Sequence, residues 1–133
     1  MTDATRVVAG LILLTIVTIE FGGYFMTRIV RGKVPMTDFQ KSFARAGHAH
    51  AGVLVILGLV GLLYVDQTGL TGAWLWIARL AIPIAAVLMS GGFFAASAGK
   101  GRTQPNQAIW MLWIGAAALA LGTLTLGVGL ITA

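Results

Sequence analysis

VVAGLILLTIVTIEFGGYFMT, residues 7–27, holds one formally charged side chain, Glu20, in a run otherwise free of charge. At 1.5 Å per helical residue, such a run crosses a hydrocarbon core about 30 Å thick. Outward from it, three further runs share its character: Ala46–Val65, Ala73–Ala98 with Arg79 inside it, and Ala108–Ile131. None alternates apolar and polar residues as the roughly ten-residue strands of a membrane β-barrel do. The sequence therefore predicts an all-α polytopic membrane protein of four transmembrane helices, a single domain over residues 1–133. Composition points the same way, because 10% of the residues are charged where a soluble domain has about 25%. The first run reads as a retained span rather than a signal peptide, since only Arg6 precedes it and no A-x-A site follows.

Net charge +5 invites a nucleic-acid reading, but the basic residues sit between apolar runs, and that reading is excluded. Arg28, Arg31, Lys33, Lys41 and Arg45 lie in the first connecting region and Lys100 and Arg102 in the third; the Asp66–Gly72 connection has none and the N-terminus only Arg6. The positive-inside rule then places loops one and three in the cytoplasm and both termini outside. Trp74 and Trp76 are expected at the outer interface, Trp110 and Trp113 at the inner one. With no cysteine, disulfides, thiolate metal sites and a Cys nucleophile are excluded.

Gly22-Gly23-Tyr24-Phe25 and Gly91-Gly92-Phe93-Phe94 align at an offset of 69, and Arg31-Gly32-Lys33 meets Lys100-Gly101-Arg102 at the same offset. Such a pattern allows two parallel two-helix repeats, with the ionisable groups confined to the first. Small residues mark contact stripes: Gly115, Ala118, Gly122, Thr125 and Gly129 on the fourth span, and Gly47, Gly58 and Gly61 on the second. Such stripes let helix backbones approach closely, within one bundle or across a homo-oligomeric seam.

Glu20 is a candidate functional residue, because a carboxylate in hydrocarbon costs several kcal/mol unless it is paired, hydrated or protonated. Tyr24, one turn below, could donate a hydrogen bond to it. Both histidines, His48 and His50, follow Arg45 near the start of the second helix, which Thr37 and Gln40 mark as a capping box beginning near Asp38. Their depth is close to that of Glu20, so a shared metal or haem site is possible by depth, with Tyr24 and Arg45 around it. Yet residues two apart on a helix point about 200° from each other. On a regular helix the pair is therefore expected to serve different neighbours. Arg79 is expected to reach outward or pair with Asp66, and Pro83 to kink the third helix.

Thr18-Ile19-Glu20-Phe21-Gly22-Gly23-Tyr24-Phe25, Arg45-Ala46-Gly47-His48-Ala49-His50-Ala51-Gly52 and Gln104-Pro105-Asn106 together resemble a group of small bacterial four-helix membrane proteins of unassigned function. More distantly, His-x-His followed by Gly61-Leu62-Leu63-Tyr64 resembles small proteins related to haem-copper oxidase subunit I. These resemblances imply a multi-pass protein of the bacterial inner membrane, and the second implies histidines serving two different cofactors. Three functions stay open: a redox or accessory module holding a transition metal or haem b through Glu20, His48 and His50; a small oligomeric proton- or cation-linked channel or transporter; and a structural subunit of a larger membrane complex. The expected partners are the lipid bilayer and a second copy or larger assembly. No nucleophile–base pair, phosphate loop or HExxH motif points to classical enzyme chemistry.

Overall fold

The computed structural model describes all 133 residues. It consists of α1 (Asp3–Val30), α2 (Asp38–Val65), α3 (Gly72–Ser97), a single 3-10 turn at Gln107–Ile109, and α4 (Trp110–Ile131). All four helices are long and apolar enough to cross a membrane, and there are no strands. Helix ends run beyond the apolar runs where a polar cap is available. Thr2 caps α1 through Thr5 N–H, while Thr37 and Gln40 complete the capping box that starts α2.

α3 is the central element, packed along α2 on one side and α4 on the other, whereas α1 rests mainly on α2. In the most apolar stretch of α3 44% of residues are buried, against 6% in α1. The core joins Ile12, Leu54, Val55, Leu62, Val65, Ala78, Ile82, Ala86 and Leu126. Small residues set the helix spacing. A Cβ on Gly122 would stand 2.9 Å from Ala81 Cβ, one on Gly92 3.0 Å from Leu112 N, and one on Gly47 2.9 Å from the Phe94 ring. Gly115 packs on Leu88 and Met89, Gly58 on Pro83, Gly61 on Leu126, and Gly129 on Leu70. These small-residue stripes therefore form seams inside the bundle; Ala118 on the same stripe of α4 is half-buried.

The C-terminus of α3 illustrates how polar side chains complete the fold. Its last four carbonyls lack helical partners by construction. Phe94 O accepts from Ser97 Oγ (3.2 Å), Ala95 O from Asn106 Nδ2 (2.8 Å), Ala96 O from Asn106 N–H (2.9 Å) and Ser97 O from Gln40 Nε2 (3.0 Å). Gln40 Nε2 also donates to Gly99 O (2.6 Å), and the Thr37 hydroxyl bonds Arg102 O. The first and third loops are thus stitched together at one end of the bundle. Gly32 and Gly101, equivalent at the 69-residue offset, both adopt left-handed φ, +68° and +65°, a conformation that glycine adopts without steric cost.

At the other end, Arg79 is buried with 4% of its side chain exposed. Its Nε donates to Thr5 Oγ1 (3.0 Å) and its guanidinium lies 3.4 Å from Asp66 Oδ1 and 4.7 Å from the centroid of Trp76. Thr5 Oγ1 donates to Asp66 Oδ1 (2.8 Å) and Thr2 N–H to Oδ2 (2.5 Å). Partial burial pushes the Asp66 carboxyl up, but the hydrogen bonds from Thr2, Thr5 and Arg79 outweigh it and hold its pKa below the usual carboxylate value. Of the two expected arrangements for Arg79, the structure adopts the pair with Asp66.

Candidate functional site

His48 and His50 stand two residues apart on α2, and the helical repeat turns them to different neighbours. His48 is half-buried against α1, where the double glycine makes room for its ring: Cβ atoms on Gly22 and Gly23 would lie 3.2 Å from Nδ1 and 3.6 Å from Nε2. His50 faces α3. Its ring lies 4.9 Å from that of Phe93, which in turn meets Phe43 edge-on at 5.4 Å, with Phe39 at 4.3 Å beyond. The separation expected from helical geometry is therefore present in the packing.

One contact defines the chemistry of His50. Its Nδ1 lies 2.8 Å from Ala46 O, and a carbonyl oxygen only accepts, so Nδ1 carries the proton. In the neutral ring Nε2 then holds the lone pair. Ligating histidines commonly use this arrangement, with one nitrogen tied to a backbone carbonyl and the other left to coordinate. His48, by contrast, makes no hydrogen bond within the chain.

Glu20 is exposed on the outer flank of α1 and forms neither a hydrogen bond nor an ion pair within the chain. Tyr24 is also exposed; its ring is 6.3 Å from that of Phe21 and its hydroxyl is not bonded to Glu20. Arg45 is exposed as well. No group of three or more His, Asp or Glu side chains converges in a single chain. The structure thus brings His50 to Phe93 and His48 to the double glycine, and leaves Glu20 exposed on α1 and hydrogen-bonded to neither.

Two polar residues escaped the sequence. Gln40 was legible as a capping-box residue but not as the clamp on α3. Ser90, on α3, is buried and its hydroxyl lacks a hydrogen-bond partner; a lone serine in an apolar run gives no signal of that.

The site and fold together define a membrane-type bundle of four helices. No family model, curated protein or solved structure matches the chain.

Proposed function

We propose that this chain is an integral membrane binding module in which His50, through Nε2, is a ligand to a transition metal ion or to the iron of a haem. The observation that carries this reading is the 2.8 Å hydrogen bond from Nδ1 to Ala46 O, which fixes the ring and leaves Nε2 as the coordinating atom. One nitrogen is too few ligands for either group. The remaining positions come from outside the chain, from a second copy of it in the membrane. A bound haem or redox metal would supply one-electron chemistry; the chain's own part is to orient the imidazole with Ala46 O and Phe93. In this reading Glu20 and His48 lie outside the coordination sphere of His50. The protein sits in the bacterial inner membrane with its first and third loops in the cytoplasm, in keeping with the excess of Lys and Arg there.

The test is elemental and spectral analysis of detergent-purified full chain, native and His50→Ala, with His48→Ala alongside. Expected is bound metal in the native protein, lost in His50→Ala and retained in His48→Ala. Equal metal content in native and His50→Ala protein, including none in either, overturns the proposal.

A second reading rests on Glu20, an outward-facing carboxyl within a membrane span and without a partner in its own chain. In a small proton- or cation-linked oligomer that group would line the contact between copies. Proton flux in vesicles that Glu20→Gln abolishes and His50→Ala spares would favour it.

A further inference from the structure

A cavity of about 360 Å³ lies between α1, α2 and α3. It exists because α1 scarcely touches α3 and because Ala51, Gly58 and Ala86 present little side chain to the gap. Leu11 and Val87, both on its wall and both exposed, mark a mouth between α1 and α3 on the side that faces lipid. From the level of Val8 to that of Ile19 the cavity runs about 16 Å along α1 at 1.5 Å per residue.

Its polar chemistry is confined to one atom. Thr15 and Thr18 line it, but their hydroxyls turn back to Ile12 O and Thr15 O, both at 2.6 Å. Ser90 Oγ has no partner, and the residue is 8% exposed. A buried hydroxyl left unpaired costs about 1–3 kcal/mol, so a ligand oxygen at this point recovers a hydrogen bond that the chain does not make.

Depth narrows the ligand. Ser90 is about 8 Å from the midpoint of α3 at 1.5 Å per residue, whereas the edge of the hydrocarbon core is about 15 Å from its centre. The ester carbonyls of a phospholipid lie at that edge, and drawing one down to Ser90 would drag its headgroup into hydrocarbon. A free membrane-soluble molecule has no such anchor. We propose that this cavity binds a quinone with an apolar tail, its ring near Ser90, one ring carbonyl accepting from Ser90 Oγ, and the tail running along Leu11 and Ile12. The site is separate from His50 and stands or falls independently of it.

The experiment is calorimetric titration of the detergent-purified full chain with decylubiquinone, and with decylbenzene, which keeps ring and tail but has no oxygen. Expected is saturable binding of decylubiquinone at one per chain, with decylbenzene weaker by about fivefold, the worth of one net hydrogen bond. Ser90→Ala should weaken decylubiquinone by a similar factor and leave decylbenzene unchanged. Thr15→Leu, which fills the mouth from an exposed position on α1, should block both. Absence of saturable binding overturns the proposal. So does equal affinity for the two compounds, or for decylubiquinone with and without Ser90, either of which would mean that the cavity takes hydrocarbon alone.

Discussion

The two helical hairpins of this bundle carry the same double glycine and use it differently. In α3 the pair Gly91-Gly92 brings α4 up to backbone distance, so that a Cβ on Gly92 would stand 3.0 Å from Leu112 N. In α1 the pair Gly22-Gly23 meets only the imidazole of His48, and a Cβ on Gly23 would be 3.6 Å from it, ordinary van der Waals contact. One hairpin is closed by backbone approach, the other held apart by a ring. The looser half is also where Glu20, His48 and the Ser90 cavity are found. Helix association in lipid rests on packing rather than on a hydrophobic drive, so a helix with few close contacts can house polar groups and gaps that a tight seam would exclude.

The largest effect should come from Arg79, because it ties the loose half to the tight one through Thr5 and Asp66. Breaking a buried ion pair costs about 3–5 kcal/mol, and because Asp66 is partly exposed and keeps its bonds from Thr2 and Thr5, the loss belongs at the lower end of that range. Arg79→Met should lower unfolding stability in detergent by that order. A double-mutant cycle with Asp66→Asn should show strong coupling, and additive losses would mean that the pair does not join the two halves.

Gly92→Ala comes next. The new methyl meets the Leu112 backbone and Met111 Cβ, neither of which can rotate away, and overpacking of this kind costs about 1–3 kcal/mol. A change within error of the native protein in the same denaturation would mean that α3 and α4 are not closed by backbone approach.

Legibility follows the same division. The spans were readable because lipid demands long apolar runs, and the start of α2 because Thr37 and Gln40 sit at capping-box spacing. The opposed directions of His48 and His50 followed from the helical repeat alone. What the sequence could not tell is who meets whom across helices. Depth placed Glu20 beside the histidines, yet its position around α1 turns it outward. The hydroxyl of Ser90 is unpaired beside a gap between neighbouring helices, and a single serine records nothing of a gap. Gln40 could be read as a local cap, but its second task, holding the carbonyls of Ser97 and Gly99, spans almost 60 residues of sequence and depends on tertiary structure.

Acidification should loosen the same junction by less than removal of Arg79 does. The Asp66 pKa is depressed in the folded protein, so its contribution is present above the unfolded carboxyl value of about 3.9 and is lost as pH falls through the lower folded value. Thermal unfolding from pH 7 downward should therefore show native and Asp66→Asn proteins converging below about pH 4. A constant gap between them down to the most acid condition would mean that the Asp66 charge contributes nothing to holding α1 against α3.

Gly23→Ala should have the smallest effect and the opposite sign to Gly92→Ala. A methyl at Gly23 enters ordinary contact with the His48 ring, and that ring can shift because no hydrogen bond within the chain fixes it. Alanine is meanwhile the better helix former by about 0.8–1.0 kcal/mol in exposed helix interiors. Gly23→Ala should thus leave unfolding stability unchanged or raise it by up to about 1 kcal/mol, while the His48 ring resonances move. The paired measurement is the sharpest form of the comparison, since the two glycines are equivalent at the 69-residue offset and differ in what they touch. If Gly23→Ala costs as much as Gly92→Ala, then α1 is docked as closely as α4, and the ring of His48 is a fixed wedge between α1 and α2 rather than a side chain with room to act.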